Sequence, residues 1–515
     1  MPLLTSLLIA AAAPVAPPPA AAGHIPVDRL VVEADIASTR AMLSRRSLSC
    51  HDLVAAYLRR IRVLDQPTGL HAITTVAPDA LDQADVADVR AAHGGPLPPL
   101  HCVPLVAKDN MDVAGLPTTA GSVALAGNVP PRDAPLIATL KAAGAIIIAK
   151  TNMAEWAFSP RRTISSTAGE TANAYALDRV PAGSSGGTAS AVAASLALAG
   201  LGTDTGNSIR GPSSHLALVG MRPTLGLVSI AGIVPLLADH DAAGPMTRTV
   251  ADNARLLTVI APTGGTGRQE DYVRALTRHP LRGVRLGVVR ALAETKDSDP
   301  EVLRVFAAAL DELRAAGATV IDVPLPELAA HLKADTYCPR FRHDVNAYLA
   351  TLGSSRPVAD VADVYRAGRY APPSAEPFAF FMKGGPIEGA ACPTFEQNGE
   401  RQRFRADIVA AMDRAGVAAL LYPTWRYPPA LRSRGSEDYR GDNSQLIAPA
   451  TGLPALTVPM GVTRGVLPAG LQWLGRPYAE ATLYGLAFDY TRRFPHRAAP
   501  PAFPALPAEP EGKAR

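Results

Sequence analysis

The chain carries 515 residues, 48% of them hydrophobic and 19% charged, with a formal net charge of +4. That balance is ordinary for a globular protein. Neither a lysine/arginine block nor interleaved aromatics point to nucleic acid, and no segment is long and apolar enough to cross a membrane.

Residues 1–22, MPLLTSLLIAAAAPVAPPPAAA, contain no charged side chain. Their apolar run is too short to span a bilayer, and Ala20, Ala21 and Ala22 offer a small-residue cleavage site. The segment reads as a secretory signal peptide, although no lysine or arginine precedes the run; a disordered Ala/Pro extension is the alternative. A periplasmic or secreted protein is the expectation, and a cytoplasmic one if the segment is not a functional signal.

Ser49-Cys50-His51-Asp52 reads as a capping box opening a helix with Leu53, Tyr57, Ile61 and Leu64 on its apolar face and Arg59, Arg60 and Arg62 turned outward. The Gly/Pro cluster 94–99 is a loop delivering the chain into a strand over 101–108. A helix over 133–143 leads to a buried strand at 145–149, and the alanine- and leucine-rich stretch 188–200 reads as a buried helix. Helices at 249–261 and 300–316 alternate with strands at 285–289 and 319–323. Residues 324–395 break the rhythm with prolines and aromatics, among them Phe341, Tyr348, Phe378, Phe380 and Phe381. A helix at 401–415, strands at 418–422, 453–459 and 470–474, and a helix at 481–493 complete the pattern. This alternation predicts an α/β fold in one large domain over 23–495, a mixed sheet with helices on both faces. Residues 496–515 read as a disordered tail.

Two serine-bearing glycine turns stand out. The first is Gly183-Ser184-Ser185-Gly186-Gly187; the second is Thr205-Gly206-Asn207-Ser208-Ile209-Arg210. Small residues let backbone approach a ligand closely, and consecutive backbone N–H groups near Ser208 can cradle an oxyanion. Upstream, an apolar run ends on Lys108-Asp109-Asn110. Lys108, the Gly-Ser-Ser-Gly-Gly turn and the Gly-x-Ser-Ile-Arg turn, in that order and spacing, resemble the amidase signature family. Further echoes are AKTNMAEW at 149–156, GPMTRTVADNARLL at 244–257, TGLPALTVPMG at 451–461 and LPAGLQWLGRP at 467–477, so that the resemblance spans about residues 36–494.

The resemblance implies a catalytic core over about 100–260, with 324–395 as the variable region covering the site. It also implies a relay in which Lys108 deprotonates Ser184, Ser184 deprotonates Ser208, and Ser208 forms the acyl-enzyme. Ser184 would follow a cis peptide bond. The backbone N–H groups of Thr205, Gly206, Asn207 and Ser208 would form the oxyanion hole. Asn207 departs from the commoner Gly-Gly-Ser pattern, and asparagine tolerates left-handed backbone better than most residues. The chemistry is consistent with the residue types. A serine needs a base, and a free lysine, with a pKa of about 10.4, becomes one at neutral pH only when desolvated. Val103, Leu105 and Val106 lead into Lys108 and supply that burial.

The implied activity is hydrolysis of the C–N bond of a small apolar or aryl carboxamide, with Trp156 and Phe158 as candidate pocket walls and no cofactor or metal. The expected partner is the small-molecule substrate alone, the protein being a monomer or homodimer. Carbamate or ester hydrolysis on the same triad is the alternative. An amidotransferase component that depends on a complex is a further one. Gly183–Gly187 also matches G-x-S-x-G, the elbow of α/β-hydrolases, with Ser185 as nucleophile, but Asp178-Arg179-Val180-Pro181 precedes it where a buried strand is needed. His215 reads as structural and His240 as a loop residue near the pocket. The four cysteines, Cys50, Cys102, Cys338 and Cys392, form no C-x-x-C pair and read as buried thiols, a disulfide being permitted in an oxidising compartment.

Overall fold

A computed structural model describes residues 26–261, 270–334, 338–383, 391–434 and 437–507. The proposed signal segment lies outside them. Thirteen strands are present among the described residues. They are β1 (Ile73–Val76), β2 (Val103–Lys108), β3 (Ala145–Thr151), β4 (Ile164–Ser165), β5 (Gly169–Glu170), β6 (Ala199–Asp204) and β7 (Val219–Arg222), followed by β8 (Ala242–Thr247), β9 (Arg285–Val288), β10 (Thr319–Asp322), β11 (Ala419–Pro423), β12 (Ala455–Thr463) and β13 (Leu467–Leu474).

Eleven of them make one sheet, in the order β1-β3-β2-β6-β8-β7-β12-β13-β11-β9-β10, while β4 and β5 pair separately. β2 runs parallel to both β3 and β6, and β9 parallel to both β10 and β11; the other neighbours are antiparallel. The sheet is therefore mixed, in a single α/β domain. β2, β3 and β6 are buried along their whole length, as strands covered on both faces must be, which explains their unbroken runs of small and apolar residues. Parallel pairing brings the carboxyl ends of β2 and β6 to one edge, and β8 begins there because it pairs antiparallel with β6, Ala242 opposite Asp204. Lys108, Thr203 and Asp241 thus meet where parallel strands end, the usual location of an α/β site.

Ser49 caps the helix Cys50–Arg60, accepting from the Asp52 N–H at 2.9 Å, and Leu53, Tyr57, Ile61 and Leu64 are buried as expected. Arg60 is not turned outward. It is fully buried and donates to the carbonyls of Ala194, Ser195, Phe503 and Pro504. Two of those carbonyls follow the helix Gly186–Ala193, where a cation complements the helix dipole. The other two belong to the expected tail. Residues 496–507 pack on the core through Phe503 and Leu506, so disorder there is corrected; 508–515 lie outside the described residues.

The buried helix expected over 188–200 is also corrected. It ends at Ala193, Ser195 takes a positive φ, and the chain re-enters the sheet as β6. Alanine and leucine fit a buried strand as readily as a buried helix, so composition alone did not separate them. The cysteines are not thiols. Cys50 is bonded to Cys102 and Cys338 to Cys392. The second bond closes most of the variable region into a loop. That region carries the helices Phe341–Thr351, Val361–Arg366 and Ala375–Phe381, whose aromatic side chains pack on Trp156 and Phe158.

Candidate active site

Lys108 closes β2 and is completely buried. Its Nζ lies 2.7 Å from Ser184 Oγ and 2.8 Å from Thr203 Oγ1. Burial pushes its pKa down to about 7, against the opposing pull of Asp241 and Asp204. A neutral amine there can turn its lone pair to the Ser184 hydroxyl while its hydrogens face Thr203.

Ser184 follows a cis Gly183–Ser184 peptide bond. The glycines around it are needed for close approach. A Cβ on Gly183 would collide with the Ser159 carbonyl, one on Gly186 with Thr163, and one on Gly187 with the Asn152 carbonyl. Ser185 sits at the start of the helix Gly186–Ala193; its N–H donates to the Ser208 carbonyl at 3.3 Å, tying the two turns together. Its hydroxyl donates to the Thr203 carbonyl at 3.1 Å, and the residue is fully buried. No strand precedes it and no histidine meets it among the described residues, so the α/β-hydrolase elbow is absent.

The second turn is held from behind. Asp204 accepts from the N–H groups of Ile209 and Arg210, from the Arg210 guanidinium and from Arg222. Although its burial alone would raise its pKa, Arg210 and Arg222 bring the carboxyl down to about 2. Asp241, pushed up to about 6 by burial, accepts from the Thr205 hydroxyl and from the N–H groups of Leu236 and Leu237. The Asn207 side chain donates to Asp442 Oδ2 at 2.9 Å and to the Pro160 carbonyl at 3.2 Å. Asn207 is not among the positive-φ residues, so backbone tolerance is not the reason for asparagine here; its side-chain contacts are.

Thr205, Gly206, Asn207 and Ser208 line one cavity of about 390 Å³, and their backbone N–H groups have no hydrogen-bond partner among the described residues. Phe158, Phe380, Phe381, Leu236 and Leu237 supply its apolar wall, and His240 and Gln445 its polar one. Trp156 is not part of it. It is buried beneath the variable region against Phe341 and Phe378, a core residue rather than the expected pocket wall. His215 is buried against Trp425, ring centroids 4.4 Å apart, and burial pushes its pKa down to about 3. A second cavity, about 340 Å³ between Arg248, Phe488 and Arg497, touches none of these residues.

Thr203, Asp204, Arg222, Asp241 and Asp442 were not singled out from the sequence. Asp204 carried a signal in retrospect, an acid closing an apolar strand just before a turn that ends on arginine. Asp442 lies 235 positions from the residue it contacts and carried none.

Comparison with known proteins supplies the family. The sequence profile of the Amidase family matches residues 52–484. A glutamyl-tRNA(Gln) amidotransferase subunit from Moorella thermoacetica is 34% identical over 489 residues, 88% of this chain and 96% of the relative. A peptide amidase solved in complex with the competitive inhibitor chymostatin superposes with a TM-score of 0.81 at 34% identity, covering 91% of this chain and 99% of that one. The native peptide amidase of Stenotrophomonas maltophilia superposes with a TM-score of 0.79 at 33% identity, over 91% and 98% of the two chains. With the family profile spanning the sheet and both serine turns, the chain belongs to the amidase signature family and is a hydrolase of amide C–N bonds.

Proposed function

We propose that this chain is an exported amidase that hydrolyses a small, apolar carboxamide, with Ser208 as nucleophile and Ser184 and Lys108 as its proton relay. The observation that carries this is the 2.7 Å contact between Ser184 Oγ and a buried lysine whose pKa falls to about 7. In this mechanism Lys108 takes the Ser184 proton while Ser184 takes that of Ser208. Ser208 Oγ attacks the amide carbon, and the oxyanion is met by the backbone N–H groups of Thr205–Ser208. The proton returns through Ser184 to the leaving nitrogen, the C–N bond breaks, and water repeats the path to release the acid. The wall of Phe158, Phe380, Phe381, Leu236 and Leu237 favours an apolar or aryl acyl group.

Two disulfides support an oxidising compartment, in line with the signal-like segment at residues 1–22. Sequencing the N-terminus of the protein recovered from the periplasm or medium tests this; an intact N-terminus in the cytoplasmic fraction refutes it. The activity is tested with chromogenic amide, carbamate and ester substrates on the purified chain. Turnover of an aryl amide by the isolated chain is the expected result.

The relatives named as amidotransferase subunits favour a second reading, that of a component working within a complex. No amide turnover by the isolated chain, gained on addition of partner proteins, would select it. Preferential turnover of carbamate or ester would select those hydrolases on the same residues.

A further inference from the structure

The polar wall of the Ser208 cavity has a defined hydrogen-bonding sense. His240 lines the cavity, and its Nδ1 lies 3.0 Å from Asp239 Oδ1. Asp239 is held as a carboxylate by Arg401, 2.7 Å away, and by Arg340. A carboxylate only accepts, so His240 Nδ1 carries the proton. Burial lowers the imidazole pKa, and nearby Arg401 and Arg222 also oppose protonation, against Asp239. The ring is therefore neutral at pH 7 and above, and Nε2, which has no partner among the described residues, carries a lone pair.

Gln445 repeats the pattern. Its Nε2 donates to Asp442 Oδ2 at 3.0 Å and to the Tyr439 hydroxyl, which leaves Oε1 as an acceptor lying against Gly206. The cavity thus sets backbone donors beside Ser208 and two side-chain acceptors around them.

We propose that His240 is a specificity-determining residue whose Nε2 accepts a hydrogen bond from an N–H on the acyl side of the substrate, so that the preferred substrates are neutral acylamino amides with an apolar or aromatic side chain. This rests on the amidase reading above. An acyl group presenting an oxygen at that position would set lone pair against lone pair, and a site built to bind an N–H rejects the analogue that lacks it.

The test compares the p-nitroanilides of 2-acetamido- and 2-acetoxy-3-phenylpropanoic acid, which differ at one position, N–H against O. Release of p-nitroaniline reports anilide cleavage in both. The native enzyme is expected to favour the acetamido substrate at least about tenfold in kcat/KM. His240→Phe, which keeps a ring but removes the acceptor, should bring that ratio close to one, and His240→Gln, which can present an oxygen, should restore part of it. Labelling of Ser208 by a fluorophosphonate verifies that each variant keeps a folded site. Equal use of the two substrates by the native enzyme, or a ratio unchanged in folded His240→Phe, overturns the proposal. Failure of the amidase reading looks different: neither anilide is cleaved and Ser208 is not labelled.

Discussion

Asn207 Nδ2 donates to Asp442 Oδ2 at 2.9 Å, joining the turn that bears Ser208 to the segment between β11 and β12. The carboxylate also accepts from the Ser444 N–H and hydroxyl, the Tyr439 hydroxyl and Gln445, so one buried acid organises one wall of the cavity. Replacing Asn207 by glycine restores the commoner family pattern yet removes this brace. Asn207→Gly is expected to lower kcat about tenfold while KM changes little, since misplaced oxyanion donors act on the transition state. Asn207→Asp sets a second carboxylate against Asp442 and should cost more. Steady-state kinetics on the two variants decide it, and a glycine variant with native kcat assigns the side chain no role.

Lys108 must be neutral to act as a base. Its pKa near 7 means that protonation below that value removes the active form, so kcat/KM should fall about tenfold per pH unit below 7 and level off above it. Lys108→Ala should abolish turnover with folding intact. Lys108→Arg should not rescue it, because arginine stays protonated. A flat profile between pH 5 and 8 would assign the proton transfer elsewhere.

The two serines should separate under a covalent probe. Ser208→Ala is expected to lose all labelling by a fluorophosphonate, whereas Ser184→Ala keeps Ser208 in place and should label slowly. Peptide mapping of the labelled native protein checks which hydroxyl reacts. A label on Ser185 would contradict its hydrogen bond to the Thr203 carbonyl.

Both disulfides close loops of more than fifty residues, Cys50–Cys102 within the core and Cys338–Cys392 around the variable region. Each is expected to contribute about 2–4 kcal/mol by restricting the unfolded chain. Paired cysteine-to-serine substitution of Cys338 and Cys392 should lower Tm and, because the loop carries Phe380 and Phe381, raise KM more than it lowers kcat. Thermal denaturation and kinetics of the paired variant measure both effects. An unchanged KM would separate the disulfide from substrate binding.

What the sequence by itself determined lies in local chemistry. The Ser49 cap, the apolar strand ending on Lys108, and the glycines flanking Ser184 each state their role through neighbours a few positions away. Order and spacing then made the family legible. Tertiary structure decided what depends on partners far along the chain. Arg60 looks like a surface residue until the carbonyls of residues 503 and 504 arrive beside it, and Trp156 looks like a pocket wall until Phe341 and Phe378 cover it. The same holds for Cys50 and Cys102, for Asp239 behind His240, and for Asp442 behind Asn207. The reason is physical: burial and hydrogen-bond partnership belong to the assembled packing, and a charged or polar side chain takes its role, ligand, brace or base, from whatever the fold brings within about 3 Å of it.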